Sequence, residues 1–97
     1  MDPPNHMRIK AKFFAYFRDL FGGRELGLDV GEGATVGEAL EALCDSPARR
    51  AEVFAGAELK PHLVVMVNGV HIHSLRGLDT VLAAGDTLAV FPFLGGG

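Results

Sequence analysis

The chain has 97 residues, 48% of them hydrophobic and 22% charged, and its formal net charge is −3. Apolar content at this level supports one folded domain and excludes an intrinsically disordered chain. The acidic balance argues against non-specific nucleic-acid binding, which depends on clustered Lys and Arg side chains.

A polar, proline-containing segment precedes the first predicted strand. We expect residues 1–6 to be a disordered lead-in and the folded domain to span residues 7–91. Residues 8–15 alternate apolar and polar side chains, which is the period of a half-buried strand. This alternation places Phe14 on the face opposite to Phe13.

A short helix and a second strand follow. Apolar side chains at helical spacing predict a helix over residues 16–21, and the glycines at 22–23 indicate its end. Alternation returns at residues 25–30 and predicts a strand. We expect this strand to lie antiparallel to the first because the two are close in sequence.

The main helix is predicted from its first residues. Thr35 and Glu38 match a capping box, in which each side chain binds the backbone N–H of the other residue. An apolar stripe at helical spacing continues the helix over residues 36–44. Ser46-Pro47 then indicates a second helix, with serine as N-cap and proline at the first helical position, which we expect to reach Gly56.

Three strands are predicted in the C-terminal half. The apolar run at residues 63–67 is rich in β-branched side chains and indicates a central strand buried on both faces. Asn68-Gly69 favours a type I′ hairpin turn because both of its positions take positive φ. Residues 70–73 then form the return strand, and residues 87–91 form a last strand that Pro92 ends.

This order of elements indicates the fold class. Two strands precede the helical region and three follow it, which is typical of an α+β domain with helices on one face of a sheet. The predicted core combines inward strand residues with the helix stripe: Ile9, Phe13, Leu28, Val36, Leu40, Leu43, Val65, Val67, Leu88 and Val90.

Cysteine content and hydropathy bear on the compartment. Cys44 is the single cysteine, so no internal disulfide forms, which is typical of a reducing environment. No apolar stretch approaches the length of a membrane span, and the first residues lack the apolar region of a secretory signal. We therefore expect a cytoplasmic protein without a membrane partner.

The last seven residues, Phe91 to Gly97, are the candidate functional segment. Aromatic and aliphatic side chains run into three glycines, and glycine has no Cβ and adopts either sign of φ. We expect residues 92–97 to form a flexible glycine-rich tail that carries a carboxylate into a narrow active site of another protein. A frayed terminus without function is the alternative for this segment taken alone.

Several stretches resemble a known family. The element order resembles the ubiquitin-like β-grasp fold, a mixed sheet of four or five strands packed on one main helix, and the sequence resembles the MoaD/ThiS sulfur carriers, MoaD in particular. The matching stretches are residues 9–15, 33–36, 67–69, 82–86 and the end from Phe91-Pro92 to the terminal glycine pair.

Two features depart from the usual MoaD pattern. Phe93 replaces the second proline of the family's tail, and Gly95 occupies a position for a small residue. Residues 75–80 resemble a subgroup found beside tungsten and molybdenum enzymes and among archaeal small modifiers. This segment leaves the recipient of the sulfur open.

The resemblance implies a carrier that is not an enzyme by itself. An E1-like enzyme uses ATP to adenylate the C-terminal carboxylate of such proteins, and sulfur from a donor such as a cysteine desulfurase or a rhodanese then gives a thiocarboxylate. A MoaD-type carrier delivers this sulfur as the small subunit of molybdopterin synthase, beside a MoaE-like large subunit. The acting group here would be the carboxylate of Gly97, and no cofactor bound by the chain is expected.

The resemblance also implies which residues contact partners. The threading glycines and the apolar side chains at the base of the tail form this set: Phe91, Phe93, Leu94, Gly95 and Gly96. We expect Phe14, on the outer face of the first strand, to join Phe91 and Phe93 in an exposed apolar patch.

Three other functions stay open at this point. The first is a carrier for thiamine thiazole or another sulfur product, against which the Phe91-Pro92 approach to the tail argues. The second is a ubiquitin-like modifier that forms an isopeptide bond between Gly97 and protein lysines, and it begins with the same adenylation. The third is an interaction module with an inert tail, which the glycine pair argues against.

Two further candidate sites are weaker. His71 and His73 lie two apart on a predicted strand and share a face, but a metal site needs three or four converging ligands. We interpret them as solvent-facing side chains and predict no metal. Cys44 has no motif relation to a histidine or an acid, so we interpret it as a small, partly buried core residue.

A basic row lies on the predicted outer face of the first strand. Arg8, Lys10 and Lys12 alternate there, and such a row most often serves solubility. Docking of an acidic partner is the functional alternative.

Overall fold

The computed structural model describes residues 6–92. Its strands are β1 (His6–Phe13), β2 (Glu25–Gly31), β3 (Phe54–Ala55), β4 (Glu58–Leu59), β5 (Leu63–Val67), β6 (Val70–His71) and β7 (Thr87–Pro92). Its helices are α1 (Tyr16–Phe21), α2 (Val36–Leu43) and α3 (Pro47–Val53), with single 3-10 turns at Ile72–Ser74 and Gly77–Asp79. Within residues 6–92, every helix is too short or too polar to cross a membrane.

Five strands form one mixed sheet in the order β2-β1-β7-β5-β6. β7 runs parallel to β1 and antiparallel to β5, while β1 and β2 are antiparallel neighbours as predicted. β3 and β4 form a separate two-stranded hairpin. The architecture confirms the predicted β-grasp fold, although the middle strand is β7 and β5 lies beside it.

The core lies between the inner face of the sheet and α2. Leu40 and Leu43 of α2 are buried, and so are all other predicted core residues except Leu28. Leu28 is half-buried and packs at the margin of the core because β2 is an edge strand. Phe17 and Phe21 of α1 close one end of the core, where Phe21 stacks on Phe13 with 4.4 Å between ring centroids.

The predicted caps and turns are present. Thr35 and Glu38 form a complete capping box on α2, and Ser46 Oγ accepts a hydrogen bond from the Arg49 N–H at 3.2 Å. Asn68 has φ 51° and Gly69 has φ 83°, as a type I′ turn requires. Local polar chemistry therefore sets these boundaries.

One predicted boundary of the first strand is wrong. The alternation predicts residue 15 on the inner face of the strand, but β1 ends at Phe13 and Ala15 is exposed with φ 56°. This turn lets Phe17 and Phe21 of α1 reach the core. Pairing also extends to His6 in β1 and to Pro92 in β7, one residue past each expected end of the domain.

Two other boundaries differ in the second half of the chain. The second helix ends at Val53 instead of Gly56, because Phe54 is extended, buried and paired with Leu59. The return strand ends at His71, and residues 72–74 form a 3-10 turn in which Ile72 is buried. In both places burial of an apolar side chain decides the backbone conformation.

Candidate functional site

The central strand β7 leads directly to the glycine-rich segment. Leu88 and Val90 point into the core, and Pro92 is buried opposite Leu63 of β5. Because β1 is parallel to β7, Phe13 at the end of β1 lies beside Val90. Because β7 is the third of the five strands, Pro92 lies at the centre of one edge of the sheet, where the strands end. The predicted tail residues lie outside the described residues: Phe93, Leu94, Gly95, Gly96 and Gly97.

Phe14 and Phe91 meet on the outer face of the sheet, away from α2. Their rings make an edge-to-face contact with centroids 5.6 Å apart and an interplanar angle of 82°. Phe14 remains 47% exposed, and Phe91 is half-buried. The structure thus brings together the two described members of the predicted apolar patch.

Val64 extends this patch along the register of β5 and β7. It pairs with Phe91 across the strands and is buried, yet it does not belong to the main core cluster. An apolar side chain that is buried on the outer face indicates a small second apolar cluster. We call Phe14, Phe91 and Val64 the tail-base surface.

A hydrogen bond links two elements beside this surface. The Tyr16 hydroxyl lies 3.2 Å from Nε2 of His62, the residue that precedes β5. Burial, and after it the nearby Glu52 carboxylate, raise the pKa of the Tyr16 hydroxyl above its ordinary value. The sequence does not predict this pair, because a separation of 46 residues leaves no local signal.

The predicted basic row does not persist as three free cations. Arg8 pairs with Asp29 at 2.9 Å and Lys10 pairs with Glu25 at 3.1 Å, both acids lying on β2. Lys12 makes no ion pair with another residue of 6–92. Cross-strand pairing therefore neutralises two of the three cations of the row.

Cys44 is a buried free thiol, as predicted. Burial, followed by the charge of Glu41, raises its pKa from 9.0 to about 11. The thiolate is the nucleophilic form, so both the burial and the raised pKa disfavour a nucleophilic role for Cys44 near neutral pH.

His71 and His73 contact each other but do not share a strand. Their ring centroids are 4.4 Å apart, and the His73 backbone N–H donates to His71 Nδ1 at 3.1 Å. Across residues 6–92, no three potential metal ligands of the His, Cys, Asp or Glu type converge. Within residues 6–92, the candidate site is therefore an apolar, partly exposed aromatic contact beside the last residues of β7.

Comparisons with known proteins show which family this chain resembles. The ThiS family profile matches residues 11–97. Small archaeal modifier protein 3 of Haloferax volcanii is 38% identical over 94 residues, which cover 94% of this chain and 100% of that protein. The crystal structure of small archaeal modifier protein 1 from Haloferax volcanii is 36% identical with a TM-score of 0.77, over 89% of this chain and 97% of that chain.

A third similar protein carries a different name. The structure of a Pyrococcus furiosus protein provisionally assigned as molybdopterin converting factor subunit 1 is 27% identical, with a TM-score of 0.69 over 89% of this chain and 97% of that chain. The family profile spans most of the sequence, and the relatives match over nearly their whole length. The chain therefore belongs to the ThiS family of small ubiquitin-like carrier and modifier proteins.

Proposed function

We propose that this protein is a sulfur carrier whose Gly97 carboxylate is adenylated by an E1-like enzyme and converted to a thiocarboxylate. The observation that carries the proposal is the tail-base surface of this ThiS-family chain. This surface lies at the end of the central strand β7, and the glycine-rich segment follows β7 in the sequence. A partner that holds this surface has the tail within reach of its active site. Glycines let that tail pass where a Cβ would collide.

The chemistry follows from the poor reactivity of a carboxylate. A carboxylate oxygen attacks the α-phosphorus of ATP on the activating enzyme and releases pyrophosphate. The persulfide of a donor such as a cysteine desulfurase or a rhodanese attacks the acyl adenylate and displaces AMP, which gives an acyl disulfide. A second thiol then reduces this disulfide, so that the Gly97 thiocarboxylate is released and the two donor thiols are left joined in a disulfide. The chain itself binds no cofactor in this scheme and supplies only the acyl group. The single cysteine favours the reducing cytoplasm as its place of action.

We propose molybdopterin as the first recipient, with the carrier bound to a MoaE-like large subunit. The Phe91-Pro92 approach to the tail and the similarity to the Pyrococcus furiosus protein support this recipient. Conjugation of Gly97 to protein lysines is the second candidate. The names of the Haloferax volcanii relatives support it, since both are small archaeal modifier proteins.

Intact-mass measurement tests the shared first step. The carrier is incubated with the E1-like enzyme of its own source, ATP, magnesium and a sulfur donor. We expect the mass to rise by the difference between sulfur and oxygen, with the change located on Gly97. Removal of Gly97 should abolish conversion and leave the circular dichroism spectrum unchanged. A wild type that is never adenylated would favour the inert interaction module.

The recipient is then identified with the loaded carrier. Sulfur transfer to a cyclic pterin in the presence of a MoaE-like subunit supports molybdopterin synthesis. Adducts in which Gly97 is joined to lysine side chains support the modifier. Transfer to thiazole synthesis alone would contradict both recipients.

The tail-base surface is tested by Phe14→Ser with Val81→Ser as its matched control. Both side chains are apolar and exposed, but Val81 lies in the loop after the second 3-10 turn, away from Phe91. We expect Phe14→Ser to weaken binding of the activating enzyme or of the MoaE-like subunit, because interface cores use aromatic anchors. Equal affinities for the two variants would show that this surface does not dock the partners.

A further inference from the structure

We propose that a basic cleft beside the tail-base surface binds an acidic segment of the E1-like activating enzyme. Lys12, Arg18 and Arg24 form this cleft, which lies between the end of β1, α1 and the start of β2. The inference rests on the proposed function, because it assigns a chemical character to the partner that handles the tail.

The cleft is formed where the first three elements of the chain meet. A surface cavity of about 400 Å³ is lined by Phe13 and Phe14 together with the three cations and Glu25. A neighbouring cavity of about 430 Å³ shares Arg18 and Arg24 and adds Asp19. The two arginines therefore line both cavities.

The cations of the cleft have no ion-pair partner within the described chain, although Arg18 Nε donates a hydrogen bond to the Ala15 carbonyl at 3.4 Å. Arg8 and Lys10 of the basic row pair with acids of β2, whereas Lys12, Arg18 and Arg24 make no ion pair with any residue of 6–92. Glu25, the carboxylate of the first cavity, is already held by Lys10 at 3.1 Å. A concentration of free cations in a chain of net charge −3 favours an external anion that neutralises it.

The position of the cleft links it to the protein that handles the C-terminal segment. Phe14 lines the cleft and also contacts Phe91, which lies one residue before the end of β7 and close to the glycine-rich segment in the sequence. A protein that holds the tail-base surface must therefore cover the rim of the cleft. Arginine presents a planar fork that matches carboxylates with two hydrogen bonds, so the complementary surface is a short acidic segment rather than an apolar one.

Charge reversal tests this inference. Arg24→Glu and Arg18→Glu are each compared with the wild type for binding to the E1-like enzyme of the same source, at low and high salt. We expect each variant to bind about tenfold more weakly at low salt, with a smaller salt dependence, because screened ion pairs are lost. Arg76→Glu is the matched control, since it makes the same charge change in the exposed 3-10 region and should bind like the wild type.

Two outcomes would overturn the inference, and both differ from failure of the proposed function. If the wild type is adenylated but Arg18→Glu and Arg24→Glu bind as tightly as Arg76→Glu, the cleft does not contact the enzyme. If NMR titration with inorganic phosphate perturbs the cleft and phosphate does not compete with enzyme binding, the cleft is a small-anion site. Absence of adenylation in the wild type would instead contradict the sulfur-carrier proposal. Circular dichroism of each variant checks that the fold is retained.

Discussion

Ala15 stores backbone strain at the turn between β1 and α1. Its φ of 56° and ψ of −137° lie in a region that glycine adopts freely and that a Cβ disfavours. We expect Ala15→Gly to raise the free energy of unfolding by about 1 kcal/mol, measured by denaturant titration. Gly22→Ala is the opposing control: Gly22 has φ 82° and open space around it, so the added Cβ should destabilise the fold by conformation alone. A lower free energy of unfolding in Ala15→Gly would contradict the inference that the backbone of Ala15 is strained.

The Cys44 thiol predicts a dependence of stability on alkaline pH. Its folded pKa of about 11 lies above the ordinary value of 9.0, so between these values the unfolded chain has lost a proton that the folded chain keeps. The free energy of unfolding should therefore fall as the pH rises from 9 to 11. Thermal melts of the wild type should show a steeper decline in this range than melts of Cys44→Ala. Parallel declines would show that the thiol is not responsible.

At the scale of elements, α2 depends on its N-terminal cap. The Glu38 N–H donates to Thr35 Oγ1 at 3.2 Å, and the Thr35 N–H donates to Glu38 Oε1 at 3.1 Å. Thr35→Ala leaves one N–H of the first turn without its partner and should cost about 1 kcal/mol in chemical denaturation. Thr35→Ser keeps the hydroxyl and should retain most of the stability. If both variants lose the same free energy of unfolding, the loss comes from the methyl group of Thr35 and not from the capping hydrogen bond.

At the scale of the whole molecule, β7 joins the two halves of the sheet. Its parallel partner β1 comes from the start of the chain and its antiparallel partner β5 from the second half, so the sheet closes only when distant segments meet. Opening β7 requires breaking both ladders. We expect the amides of residues 88–90 to exchange with solvent at the rate of global unfolding, measured by native-state hydrogen exchange. Amides of β6, which among the strands of residues 6–92 pairs with β5 alone, should exchange faster. Equal rates in the two strands would contradict this hierarchy.

Local patterns are sufficient to predict most elements of the fold. Alternation in β1, the capping box of α2 and the Asn68-Gly69 turn each depend on interactions within a few residues, so the sequence carries them directly. The ends of elements are less predictable where a distant contact competes. Phe54 leaves the helical pattern because it is buried and pairs with Leu59 in a hairpin that has no strong turn signature.

Part of the candidate site can likewise be predicted from local sequence, and part depends on the fold. The glycine-rich end and the aromatic residues that precede it are visible in the sequence, and their pattern alone marks Gly97 and Phe91 as candidates. The contact of Phe14 with Phe91 and the Tyr16–His62 hydrogen bond exist only in the folded chain. Tertiary structure decides both contacts because β7 pairs with β1 on one side and with β5 on the other, which brings together segments that are far apart in the chain.

The basic row shows the same division between sequence and fold. Alternation in β1 places its three cations on one face, and this much is local. Only pairing with β2 brings Asp29 and Glu25 opposite Arg8 and Lys10, which leaves Lys12 for the cleft. The sequence therefore determined which side chains share a face, and tertiary structure decided which of their charges are neutralised, because an ion pair depends on the distance between segments that only the fold sets.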